Sequence, residues 1–231
     1  MHVRMGLIKK KEGWTDEAFR VHWREKHGLL ALQAVNLREY WQNTIVERFQ
    51  RGIEFPRGPW DFDGISQLRF DDAAQADSAF KSASIGDALV MDEARFLSGL
   101  HIVTAEQRVV IPVPAEAERR KLAKRMSILK RRPDVSESGF RREWVVHGEL
   151  VKKMPGVGAY RQNVVIAREV EKGMTTGYDD LPIDGVVELW FESPETLGAA
   201  FASPAGQETM AHAKTFLAEI TAFGVLEHRV G

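Results

Sequence analysis

Two short stretches carry the residues best suited to moving a proton. His27 precedes Gly28 and is followed by Tyr40 (40 − 27 = 13), and His147 precedes Gly148 with Tyr160 at the same interval (160 − 147 = 13). Imidazole exchanges a proton near neutral pH, and a phenol can hold or protonate a substrate oxygen, so the pairing suits general acid–base chemistry. Plainer roles compete: a His in the last helical turn ahead of Gly can cap carbonyls, and a strand Tyr can simply pack. Each Tyr opens a Tyr-x-Gln-Asn segment ending in Asn43 or Asn163. Residues three apart on a strand face opposite sides, so only one of each Tyr/Asn pair lines a common cavity, and Tyr is expected inward. Glu188 is a further candidate base. Val187, Leu189 and Phe191 share one strand face, which leaves Val186, Glu188 and Trp190 on the other, with Gln67 in the equivalent place of the first half. A carboxylate on a partly apolar wall is raised in pKa by desolvation, whereas one on a solvated face is merely solvated. Trp41, Asn43, Gln67, Asn163 and Trp190 are candidates for the substrate-binding wall. No metal is expected. Cys is absent, His22 and His27 are five apart rather than four, and neither a Gly-rich phosphate loop nor a nucleophile elbow is present.

These residues recur because a longer pattern recurs. FRVHWREKHGLLALQAVNLREYWQN, from Phe19, returns as FRREWVVHGELVKKMPGVGAYRQN, from Phe140. A repeat on this scale sets the architecture before any one residue is interpreted. The first half reads as a strand at Val3–Leu7; a helix begun by Thr15 as N-cap, with Phe19, Trp23, His27 and Leu30 on one stripe; a strand over Leu37–Val46; a loop to Phe62; and a strand over Ile65–Phe70. Helices over Asp71–Ser84 and Asp87–Leu100 and a strand over His101–Ile111 complete it. The second half repeats this order, with Asp184-Gly185 and Phe201 standing 121 positions after Asp63-Gly64 and Phe80 (184 − 63 = 121). The fold class is therefore α+β: two ferredoxin-like β-α-β-β-α-β units packed sheet to sheet into a barrel-like enclosure, over residues 1–111 and 125–231, with 112–124 as linker. The enclosure is the expected cavity. The basic residues Arg119, Arg120, Lys121, Lys124 and Arg125 read either as an anion patch or, in preference, as a solvated linker face.

Composition narrows the partners. The 231 residues are 44% hydrophobic and 28% charged with a formal net charge of −1, which gives no general pull toward nucleic acid or an anionic membrane. No apolar run is long enough to span a bilayer, and the opening segment lacks a signal-like apolar region, so a cytoplasmic protein acting on a small molecule is expected, compatible with a homodimer of the two-unit chain.

The patterns KKKEGWTDEAFRVHWREKHGLL, REYWQN and DGISQLRF, and in the second half FRREWVVHGEL, GVGAYRQN, DGVVELWF and FASPAGQ, resemble the EthD domain of the dimeric α+β barrel superfamily. The resemblance covers nearly the whole chain and implies a tandem EthD protein, one polypeptide supplying both halves of a barrel. It implies a motif His near a cavity and an acidic residue where Asp92 stands; the second half has Ala211 there. It also implies cofactor-free proton transfer on a lactone, phenolic or polyketide-like molecule as the leading function, with no cofactor required. A non-catalytic binding or stress-response module and a haem-binding or cofactor-free oxidoreductase are the alternatives.

Overall fold

The computed structural model describes residues 1–80 and 83–231. The chain runs β1 (His2–Lys10), a helix in three parts, β2 (Glu39–Glu47), β3 (Gly64–Phe70), α3 (Ala73–Ser78), α4 (Ala83–Phe96) and β4 (Leu97–Ile111). The three-part helix consists of α1 (Asp16–His22), a π-helical turn (Trp23–His27) and α2 (Gly28–Ala31). A short α5 (Glu116–Arg119) leads to β5 (Ala123–Arg131), α6 (Glu137–Val151), β6 (Val157–Glu171), β7 (Met174–Thr175), β8 (Gly185–Phe191), α7 (Pro194–Ala202), α8 (Pro204–Phe216) and β9 (Leu217–Val230). Thr15 and Ser136 cap the two long helices, accepting from Ala18 N at 3.1 Å and Gly139 N at 3.1 Å; such caps satisfy amide groups that the first helical turn leaves open.

Strands follow the order β4-β1-β3-β2-β9-β5-β8-β6, and a β4–β6 pairing returns the sheet to its start, with β7 alongside β6. Each half supplies four strands, and two antiparallel seams, Tyr40–Glu47 with Gly224–Val230 and Ile102–Ile111 with Tyr160–Glu169, join the halves. The halves therefore meet edge to edge as well as face to face. Helices cover the outside.

The interior is packed. Val3, Met5, Leu7, Ile65, Val103, Met126, Ile128, Val165, Val186 and Phe223 form a core drawn from both halves, while separate clusters lie between each half's helices and its strands. This corrects the expectation that the enclosure itself is the cavity: an eight-stranded barrel leaves an interior that side chains fill. Two helices also end earlier than their composition suggests. Leu97–Leu100 and Leu217–Thr221 belong to β4 and β9, where pairing with β1 and β5 overrides helical periodicity. Of the helix expected over Asp71–Ser84, α3 accounts for Ala73–Ser78, and the portion at 81–82 lies outside the described residues. The supposed linker is partly core: Arg119 and Lys124 are buried, as is Arg125 just beyond it. Among the described residues, no helix is long and apolar enough to cross a membrane.

Candidate active site

The repeated motif becomes intelligible once the two faces of β2 and β6 are separated. Tyr40 and Gln42 point toward the helices, and Gln42 Nε2 donates to the Trp23 carbonyl at 2.7 Å and to Tyr40 Oη at 3.0 Å. The second half repeats this with Gln162, which donates to the Trp144 carbonyl at 2.6 Å and Tyr160 Oη at 2.9 Å. The Gln of Tyr-x-Gln-Asn thus fastens the strand to the aromatic helix. Sequence reasoning passed over it, although its presence in both copies was the available signal. Asn43 and Asn163 face the other way, into the barrel, which reverses the expectation that Tyr would be the inward residue: the phenols are taken up by the helix layer, where each accepts from its Gln. Asn43 donates to the Ile65 carbonyl and Gln67 Oε1, each at 3.0 Å, and Asn163 to the Val186 carbonyl at 2.9 Å and Glu188 Oε1 at 3.0 Å.

The Asp-Gly pairs have a scaffolding role. Asp63 and Asp184 each accept a backbone N–H, from Lys10 at 3.0 Å and Arg131 at 2.7 Å. A Cβ at Gly64 would sit 2.6 Å from the Trp23 ring, and one at Gly185 would meet the Trp144 ring as closely. Glycine is needed because the indole lies directly on the strand.

The step of four from Trp23 to His27, against three from Trp144 to His147, is absorbed by the π turn at Trp23–His27, where the second half has a regular α-helix. One extra residue in a wider turn leaves Trp, His and Gly in equivalent places; π turns of this kind often sit at functional sites.

Each half has a cavity between its helices and its strands. The first, about 50 Å³, is lined among others by Arg4, Trp23, His27, Tyr40, Glu93 and Lys172; such a volume accommodates a few waters, and a substrate requires it to open. Within it, His27 Nδ1 lies 3.1 Å from Asp92 Oδ2, and the same carboxylate accepts from His22 Nε2 at 3.0 Å. The Asp92 bond fixes the tautomer and leaves Nε2 as the basic nitrogen. Burial and the Lys172 cation hold His27 down to about 4, against the opposing pull of Asp92. Nε2 stands 3.8 Å from Glu93 Oε1. Burial pushes the Glu93 carboxyl up, and its ion-pair partner Lys172 opposes this. Burial also pushes the Tyr40 phenol well above its ordinary range, so it remains a neutral O–H.

Lys172 reaches this cavity from the β6–β7 hairpin of the other half, and Glu169 of the same hairpin pairs with the cavity-lining Arg4 at 2.5 and 2.9 Å. The first cavity is thus completed by the second half. Sequence reasoning missed Glu93, Lys172 and Arg4. The crossing cannot be read from within one repeat.

The second cavity, about 40 Å³, contains His147 and Tyr160 but is lined largely by Leu129, Trp144, Met154, Leu189, Phe201, Met210 and similar side chains. Among the described residues His147 Nδ1 has no hydrogen-bond partner, and burial with the neighbouring His212 takes the ring down to about 3. His212 pairs instead with Glu143 at 3.5 Å, the reverse of the His22–Asp92 arrangement; this corrects the expectation of Ala211 in the place of Asp92, since His212 faces His147 and Ala211 is exposed.

The remaining candidates stand elsewhere. Trp41, Asn43, Gln67, Asn163, Trp190 and Glu188 are all inside the barrel, across the sheet from His27 and Tyr40. Glu188 is fully buried, 2.9 Å from Lys124 Nζ. Desolvation alone would raise its pKa, but Lys124, Arg161 and Arg69 together hold it far below the usual carboxylate range. This corrects the expectation of a raised, basic Glu188, which considered the apolar wall without the cations brought by other strands. Among the described residues, no group of His, Asp and Glu is arranged to hold a metal ion.

The fold has known counterparts. A protein described as anthrone oxidase-like aligns over 100% of this chain and 93% of its own with a TM-score of 0.67 at 8% identity. A Lactobacillus acidophilus protein provisionally assigned as a monooxygenase aligns over 99% and 95% with a TM-score of 0.60 at 10% identity. A Fusobacterium nucleatum protein with the same provisional assignment covers 100% and 94%, with a TM-score of 0.60 and 7% identity. At these identities the likeness concerns the fold alone. No curated protein matches the sequence. The EthD domain model matches twice, over residues 11–99 and 132–219, flanking the sheet junction and containing His27, Asp92 and His147, and the chain belongs to the EthD family as a tandem member.

Proposed function

We propose that the protein is an enzyme that moves a proton on a small, largely apolar, oxygen-bearing molecule such as a lactone or polyketide-like phenol, and that the first cavity is where it does so. Isomerisation, cyclisation and dehydration all begin with such a step. The two halves then act as ferredoxin-like units of one intrachain barrel, in a cytoplasmic protein. The observation that carries the reading is the His27–Asp92 contact beside Tyr40. A neutral imidazole, oriented by a carboxylate, faces the same small space as a neutral phenol. His27 Nε2 removes a proton next to a carbonyl, Asp92 stabilises the imidazolium that forms, and Tyr40 donates to the developing oxyanion. Lys172 pairs with Glu93 at the cavity wall and opposes the upward pull of burial on its carboxyl.

Hydrogen–deuterium exchange tests this on candidate lactones and phenols in D2O, followed by NMR. The wild-type protein should catalyse wash-in at the carbon next to the carbonyl. His27→Ala and Asp92→Asn should each slow it by on the order of 10²-fold, the scale of general acid–base catalysis. Exchange unaffected by either change would remove the first cavity as the site. A second reading, a binding protein without chemistry, is favoured by the pairing of Arg4 with Glu169 and Glu93 with Lys172 inside a small cavity; ligand binding with no exchange in wild type would support it.

A further inference from the structure

One end of the barrel interior holds a charged cluster that the proposed reaction does not use. Arg69, Arg119, Lys124 and Arg161 meet Glu39, Glu188 and Glu227 there; the four cations and Glu188 are buried, Glu227 buries its side chain, and Glu39 is half-exposed. Arg69 pairs with Glu39, Arg119 with Glu227 at 2.6 Å, and Lys124 with Glu188 at 2.9 Å and Glu227 at 3.1 Å. Four cations against three carboxylates leave one positive charge over. The residue left over is Arg161. Its side chain lies over the Trp190 ring, 5.6 Å from the centroid, and the residue is only 9% exposed. Among the described residues no carboxylate is within ion-pair distance of it, and its Nε and Nη1 have no hydrogen-bond partner. Arg69 Nε and Gln67 Nε2, buried in the same interior, are unpartnered too.

Arginine cannot relieve this by shedding its proton, as a buried lysine can. An unpaired buried charge is costly, and native interiors resolve it with a counter-charge. Guanidinium is also weakly hydrated and planar, which suits it to the oxygens of a carboxylate or phosphate. The arrangement has no counterpart in the repeat. Arg161 and Trp190 stand where the first half has Trp41 and Arg69, so the two arginine–indole sets are swapped about the junction. Arg69 has Glu39 in direct contact, whereas Arg161 has only the longer-range attraction of Glu188 and Glu39.

We infer that the barrel end is a binding site for a small oxyanion, a carboxylate or phosphate seated against Arg161 with Arg69 Nε and Gln67 Nε2 as further donors. The site is separate from the His27 cavity, on the opposite face of the sheet, and its occupation does not depend on the proposed reaction. It also recasts the basic run near the junction, in which Arg119 and Lys124 serve as the inner wall of this site.

Thermal unfolding at constant ionic strength tests it, with chloride exchanged stepwise for acetate in one arm and for inorganic phosphate in the other. The wild-type Tm should rise saturably in at least one arm, as for any ligand bound only by the folded state; the arm that responds identifies the anion chemistry. Arg161→Met should lose the response, while Arg120→Met, on the exposed face, keeps it. An equal wild-type Tm in all three anions, or a response that survives in Arg161→Met, overturns the site. If Arg161→Met does not fold, line broadening of phosphate ³¹P and acetate ¹³C signals by wild type against Arg161→Lys decides the matter. Loss of fork geometry in Arg161→Lys should weaken binding at least tenfold, and equal broadening by both proteins overturns the proposal.

Discussion

At His27 the surroundings set both the direction and the pH of proton transfer. Burial and Lys172 together favour the neutral ring, so the base is available from about pH 4 upward. The acid limb of the pH–rate profile should therefore fall as pH drops through about 4, well below the ordinary histidine range. Removing the opposing cation in Lys172→Met should move that limb upward; a limb that stays in place would show that Lys172 does not act on His27. The same shifts bear on stability. His27 and His147 have folded pKa values of about 4 and about 3, below the unfolded value near 6.5. The unfolded chain then binds more protons between these limits. Stability contributed by the neutral rings is present above about pH 6.5 and is lost as pH falls toward 4, with a slope of up to about 1.4 kcal/mol per pH unit for each histidine. Thermal unfolding followed across this interval checks it, and His147→Phe should flatten part of the slope. The Asp92 partner to His27 was legible from the family pattern, and the opposite facing of Tyr40 and Asn43 from pleating alone, but not which of the two enters the barrel, because pleating does not say which face the helices cover. Lys172 was not legible: it arrives from a hairpin of the other half, 79 positions from the carboxylate it pairs with.

At the scale of elements, the aromatic helices decide how closely each strand layer can be approached. Trp23 and Trp144 are each 1% exposed and lie on Gly64 and Gly185. Trp→Ala at either position should cost about 3–5 kcal/mol, the range for emptying a large aromatic site. Gly64→Ala and Gly185→Ala should cost about 1–3 kcal/mol by forcing a fixed indole off its strand. Urea denaturation of the four variants tests both, and glycine variants as stable as wild type would show that the rings give way. Helices and strands were largely readable from periodicity and caps. Their shared ends were not: at Phe96-Leu97 and Phe216-Leu217 helix passes directly into strand with no Gly or Pro between them, and only pairing with β1 and β5 decides where one stops. The facing of Glu188 was also readable, but its charge environment was not, because the strands of this barrel are buried on both faces and alternation no longer separates solvent from core.

For the whole molecule, the two seams mean that neither half has a finished surface. Residues 1–111 and 112–231 expressed separately should be poorly soluble and should associate on mixing, since each would expose half of the interior core and two unpaired strand edges. Halves that remain monomeric and indifferent to each other in sedimentation would contradict this. Closure within one polypeptide also frees the two cavities from one another. In a ring of identical chains, any substitution is made at every site simultaneously, so a change that harms one copy harms all. Here a replacement is made once. The carboxylate beside His27 has a histidine, His212, as its counterpart beside His147, and the second cavity has become greasy while the first stays charged, a division of labour that a self-pairing chain could not have inherited in a single gene.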